Sequence, residues 1–185
     1  RRSIHVPRFS ALMENSIQRI IFIGYMGAGK SHVAAQLAEV TGRKAVDLDT
    51  AVESIMGMSI HEAFERYGES FFREQESMVL RAVLSDSSVE ILACGGGTPC
   101  QNGNAALIQK SGYVVYLNPP LATLRNRLVN SKNRPLLDFL AETEDELKLE
   151  KHLESRMIHY SNHDERLEDA VSDGDLLRWS SLLKA

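Results

Sequence analysis

Ile20-Ile21-Phe22-Ile23-Gly24-Tyr25-Met26-Gly27-Ala28-Gly29-Lys30-Ser31 decides how the rest of the chain is read. Four consecutive apolar residues, three of them isoleucine, suit a strand buried on both faces. Gly24 to Ser31 then runs glycine, four residues, Gly-Lys-Ser, the pattern of a loop that wraps phosphate. Gly27 and Gly29 let backbone N–H groups point inward as an anion nest. A helix starting at Lys30 aims its positive end at the same place. Lys30 adds a full charge near the β- and γ-phosphates, and the Ser31 hydroxyl suits Mg²⁺. A functionless glycine turn and a loop that binds nucleotide without catalysis are the competing readings.

Outward from this loop, short apolar runs alternate with longer amphipathic stretches. Strands are expected at Arg19–Ile23, Ala45–Leu48, Glu90–Cys94 and Tyr113–Leu117, with an edge strand at Leu167–Val171. The phosphate-loop helix should run to about Val40 and end at Gly42. Ser59 with Glu62 reads as a capping box, opening a helix that ends near Tyr67-Gly68; a longer one follows to Leu84. Asn104–Lys110, a stretch after Pro119-Pro120 to Leu128, and Leu176–Leu183 complete the helices, with Thr143 and Glu146 capping one that reaches Tyr160.

Strands alternating with helices imply an α/β fold with a parallel sheet covered on both faces. Ligands in such folds sit at the carboxyl ends of the strands. Three of those ends carry unusual residues: Gly24, the pair Asp47/Asp49, and Gly95-Gly96-Gly97. They should face one crevice.

The 185 residues, 43% hydrophobic and 25% charged, exclude a disordered chain, a collagen and a coiled-coil rod. Crossing a bilayer takes roughly 20 apolar residues in a row, and the runs here are far shorter. With a net charge of −4 and no basic stripe, nucleic acid is not an expected partner, and an anionic ligand must be held by local groups. Two cysteines without a paired framework fit a reducing, cytoplasmic setting. Residues 1–12 lack periodicity and are set aside as a tail, a vector remnant being one reading of its origin; 13–185 are read as one domain.

Side chains alternate along a strand, so in Val46-Asp47-Leu48-Asp49 the carboxylates of Asp47 and Asp49 are expected to point to the same side. One carboxylate could then hold Mg²⁺ through water while the other takes a proton from a substrate hydroxyl. An acidic turn capping the next helix explains the pair equally well.

GYMGAGKS, DLDT followed by GMSIHEAF, RYGESFFREQE, ACGGGTPC, NRPLL and ESRMIHY together resemble the shikimate kinase family, from the phosphate loop to Tyr160. The resemblance implies the P-loop kinase fold: a five-stranded parallel sheet in the order 2-3-1-4-5, flanking helices, and a mobile lid at about 130–142. It implies a monomer that phosphorylates the 3-hydroxyl of shikimate with Mg²⁺–ATP. A kinase for another polyol acid such as gluconate, and a non-catalytic nucleotide-binding homologue, are the rivals.

By the same resemblance, Gly27, Ala28, Gly29, Lys30, Ser31 and His32 contact the nucleotide, although His32 stands where threonine is commoner. Ser31 and Asp47 serve Mg²⁺, and Asp49 contacts the ring hydroxyls and acts as base. Arg73 and Arg156 clamp the substrate carboxylate, a task for guanidinium's planar fork. Glu76, three residues past Arg73, holds that guanidinium in place. Gly95, Gly96 and Gly97 admit the ring. Arg134 closes over ATP from the lid, and Arg127 lies near the adenine. The adenine-contacting loop near Val171–Asp175 is not assignable.

His159 and His163 are spaced like metal ligands on a helix, but no third ligand is evident and a solvated helix end is the simpler reading. Cys94 reads as strand filler, and no base accompanies Cys94 or Cys100 to activate a thiol. The Glu142–Lys151 charge run is a solvated helix face.

Overall fold

The computed structural model describes residues 2–4, 17–101, 103–129 and 146–183. Arg134, the expected lid and the Thr143 cap lie outside them.

Strands β2 (Ile20–Ile23), β3 (Ala45–Asp47), β4 (Ile91–Ala93), β5 (Tyr113–Leu117) and β6 (Glu165–Leu167) are parallel and lie side by side as β3-β4-β2-β5-β6. Counted among themselves they follow the expected order 2-3-1-4-5. An edge strand that the sequence reading did not include, β1 (Arg2–Ile4), adds antiparallel to β6, with Arg2 opposite Leu167. The helices are α1 (Lys30–Thr41), α2 (Leu48–Met56), α3 (Ile60–Ser85), α4 (Asn104–Ser111), α5 (Leu121–Val129), α6 (Glu146–Tyr160) and α7 (Asp173–Leu182), with a 3₁₀ turn at Thr98–Cys100. No helix among the described residues is long and apolar enough to cross a membrane.

Burial on both faces explains the unbroken apolar runs of β2 and β5. Ile20 and Phe22 point to one side, packing with Leu37 of α1 and Trp179 of α7; the Phe22 and Trp179 rings meet edge-on at 5.2 Å. Ile21 and Ile23 point to the other, against Val52 of α2 and Phe72 and Leu80 of α3. The Ser59–Glu62 capping box forms as expected, and α3 breaks its helical geometry at Gly68, where the sequence suggested an end.

Three boundaries differ from expectation. The strand before the acidic pair stops at Asp47, and α2 begins at once. Asp49 therefore lies in the first helical turn, so strand alternation is not what relates it to Asp47. The last parallel strand is Glu165–Leu167 rather than 167–171. Glu165 is fully buried, with its carboxylate taken by Trp179 Nε1 at 2.9 Å and by Arg178; a buried acid is invisible to an apolar-run criterion. Finally, α7 starts at Asp173, because Ser172 and Asp175 form a second capping box.

Candidate active site

Because β2, β4 and β3 are parallel neighbours, their carboxyl ends open on one edge of the sheet. The phosphate loop leaves β2 there, α2 leaves β3, and the triple glycine leaves β4.

Gly29, at φ +99, is the N-cap of α1, with no side chain capping the exposed N–H groups. Such a helix start is built to receive an anion. Lys30 is buried, and its Nζ donates to Gly24 O at 2.8 Å and Tyr25 O at 2.9 Å. Arg127 reaches across from α5, donating through Nη1 to Gly27 O at 3.0 Å and Ala28 O at 3.2 Å. Ser31 and His32 are exposed on the first turn of α1.

Asp47 caps α2: its Oδ1 accepts from Thr50 N at 3.0 Å. The capping alternative thus describes Asp47 here. Burial drives the Cys94 thiol well above its ordinary range; Lys30 opposes the shift, and Glu76, Asp49 and Asp47 reinforce it. One positive and three negative side chains therefore act electrostatically on the thiol at the end of β4. The thiol itself is buried and inert.

The triple glycine is where these groups meet. A Cβ on Gly95 would run into Asp49 Oδ1 and crowd Glu76 Oε1. On Gly96 it would come within 2.9 Å of Met26 N in the phosphate loop. On Gly97 it would lie 2.6 Å from Arg73 Nη1 and Nη2. Glycine is required here for close approach rather than flexibility.

Arg73 and Glu76 are both buried, the second at 1% exposure. Arg73 Nη1 donates to Glu76 Oε2 at 2.9 Å, while its Nε and Nη2 share Glu69 Oε1 at 3.2 and 3.1 Å. Burial works to lower the guanidinium pKa, but Glu76 and Glu69 outweigh it and the net shift is upward. Arg73 stays charged. Thr98 Oγ1 donates to Glu76 Oε1 at 2.6 Å and so fills the carboxylate's other oxygen.

Arg156 comes from α6. Its guanidinium lies over the Tyr25 ring, 5.8 Å from the centroid. Its Nη1 is buried and has no hydrogen-bond partner among the described residues. Burial raises the Cys100 thiol, and Arg156 and Arg73 both pull it back. Both arginines thus act electrostatically on one thiol, three residues past the triple glycine. A buried donor without an acceptor among the described residues, in a field shared with a second guanidinium, is suited to an incoming carboxylate.

Sequence reasoning gave no role to Thr98, Glu69, Tyr25, His152 or Tyr160. Tyr160 Oη donates to Gly96 O at 2.5 Å, pinning the triple glycine from α6. An aromatic inside a phosphate loop was the one available signal for Tyr25, whose ring is 1% exposed.

A protein-family model described as shikimate kinase matches residues 26–175. The chain belongs to the shikimate kinase family. The shikimate kinase of Flavobacterium johnsoniae is 40% identical over 149 residues, covering 80% of this chain and 86% of that protein. That of Dehalococcoides mccartyi is 40% identical over 141 residues, covering 76% and 77%. Among solved structures, shikimate kinase from Acinetobacter baumannii in complex with shikimate is similar at TM-score 0.77 and 34% identity, covering 94% of each chain. The enzyme from Bacteroides thetaiotaomicron matches at TM-score 0.76 and 28% identity, over 91% of this chain and 97% of that one.

Among the described residues, no cluster of three or more His, Cys, Asp or Glu is placed to hold a metal by itself. Mg²⁺ favours a few protein oxygens, completed by phosphate and water. The exposed Ser31 hydroxyl at the head of α1 and the Asp47 carboxylate suit such an ion.

Proposed function

We propose that this protein transfers the γ-phosphoryl group of ATP to the 3-hydroxyl of shikimate, giving shikimate 3-phosphate and ADP. The observation that carries this reading is Arg156 Nη1, buried without an acceptor among the described residues, on a guanidinium that lies over Tyr25 of the phosphate loop and, with Arg73, acts on the Cys100 thiol.

Mg²⁺ held with ATP would neutralise phosphate charge and keep the phosphoryl group in line. The protein's own residues do the rest. The uncapped start of α1 and the loop backbone hold the phosphates. Lys30 exchanges its loop carbonyls for phosphate oxygens and stabilises charge as the group moves. Arg73 and Arg156 grip the substrate carboxylate, with Glu76 and Thr98 holding Arg73 in orientation. Asp49, against Gly95, takes the proton of the attacking hydroxyl, whose oxygen bonds to the γ-phosphorus as the bond to ADP breaks. Gly95, Gly96 and Gly97 leave room for the ring. Asp47 and Ser31 serve the metal, and Arg127 the nucleotide side. Arg134 is assigned the closing role over ATP, on the family resemblance alone.

The enzyme is proposed to act as a monomer, since one chain supplies the phosphate loop and both arginines, and in the cytoplasm, where free Cys94 and Cys100 stay reduced. Gel filtration tests the first point. The reaction is tested by ADP release with shikimate, with gluconate in parallel. Release that depends on shikimate supports the reading; release only with gluconate, or with neither, overturns it.

A further inference from the structure

Tyr25 touches both halves of the site. Its backbone oxygen accepts from Lys30 Nζ, and its ring carries the Arg156 guanidinium. Its hydroxyl shares a hydrogen bond with His152 Nδ1, and the two rings meet edge-on at 5.6 Å. Burial pushes the phenol up to about 12, so it stays neutral, and burial beside Arg156 lowers the His152 imidazole.

A phosphate loop needs only backbone at this position, so the buried phenol serves something else. The loop is anchored by its own backbone, by β2 and by α1. Helix α6 is pinned at its end by Tyr160 on Gly96 O, and again by the Tyr25–His152 bond about two turns earlier. Arg156 lies between these two points. Loosening the earlier one shifts Arg156 more than it shifts the loop.

We propose that Tyr25 and His152 form a positioning pair that holds Arg156 against the phosphate loop in the orientation needed to grip the substrate carboxylate. The proposal rests on the reading of the reaction given above and deepens it: the pair acts on the acid substrate and leaves ATP binding alone.

Steady-state kinetics of wild type, Tyr25→Phe, His152→Phe, the double variant and His152→Gln test it, with thermal melts of each. Either single phenylalanine variant should raise the shikimate KM about fivefold, the worth of one hydrogen bond, with ATP KM and kcat unchanged. The double variant should be no worse than either single one, because both remove the same bond. His152→Gln, which keeps a polar partner for the hydroxyl, should recover most of the loss.

An unmoved shikimate KM in both single variants overturns the proposal. So do equal shifts in both KM values that track the melting temperature, or effects that multiply in the double variant. Should His152→Phe fail to fold, Tyr25→Phe, which deletes one oxygen, decides the matter. An active wild type with normal variants defeats the pair alone, whereas a wild type that ignores shikimate defeats the reaction assignment with it.

Discussion

Glu76 binds Arg73 through one carboxylate oxygen, at 2.9 Å, and Thr98 through the other, at 2.6 Å. The acid is buried and both oxygens are satisfied by the protein. It thus holds a guanidinium on α3 in register with the turn after β4. Removing one partner of a buried pair costs up to about 3–5 kcal/mol, and the Glu69 that also pairs with Arg73 is too exposed to replace Glu76 in full. Glu76→Ala should therefore lower stability by that order in urea titration and raise the shikimate KM, while Glu76→Gln should lose less stability. An alanine variant as stable as wild type would show that Glu69 alone suffices to hold Arg73.

Lys30 sits on two loop carbonyls rather than in the core's apolar packing. Lys30→Ala should lower kcat by about 100-fold or more while leaving the melting temperature near wild type. Near-normal turnover would remove Lys30 from the chemistry.

Arg156 contributes a donor that nothing among the described residues accepts. Losing a charge-assisted clamp is worth roughly 1.5–3 kcal/mol, so Arg156→Ala should raise the shikimate KM by about 10- to 100-fold. ATP affinity, read by titration calorimetry, should hold.

The glycines after β4 should separate the two substrates. A methyl on Gly97 meets Arg73's guanidinium, whereas one on Gly96 meets backbone at Met26. Gly97→Ala should chiefly raise the shikimate KM. Gly96→Ala should weaken ATP binding as well, because the phosphate loop itself must shift. Identical kinetic profiles for the two variants would contradict this division.

The lowered His152 pKa, due first to burial and then to Arg156, gives a pH dependence with a definite sign. The fold disfavours the charged ring relative to the unfolded chain, whose histidine titrates near 6.5. Stability is fully present above that value and falls as pH drops through the lower folded-state value. Urea midpoints measured between about pH 7 and pH 5 should fall less steeply in His152→Gln than in wild type. Parallel slopes would mean that His152 does not titrate in this window.

Local rules read much of this chain correctly. Gly24 to Ser31 specified a strand, a turn and a helix start through backbone freedom and charge, all set within a dozen residues. The Ser59–Glu62 box and the break at Gly68 were legible for the same reason. The boundaries that were misplaced involve distant partners. Glu165 belongs to a strand because Trp179 and Arg178 take its carboxylate, and Asp49 sits on a helix because Asp47 caps it.

Periodicity and turn chemistry, acting over a few neighbours, were enough to establish a parallel α/β sheet with a phosphate loop at its edge. They could not show that Arg73 on α3 and Arg156 on α6, 83 positions apart in the chain, both act on the Cys100 thiol, or that Tyr25 meets His152. Those meetings depend on how α3 and α6 pack around the end of β4. Packing of that kind brings together side chains whose spacing along the chain carries no trace of the contact.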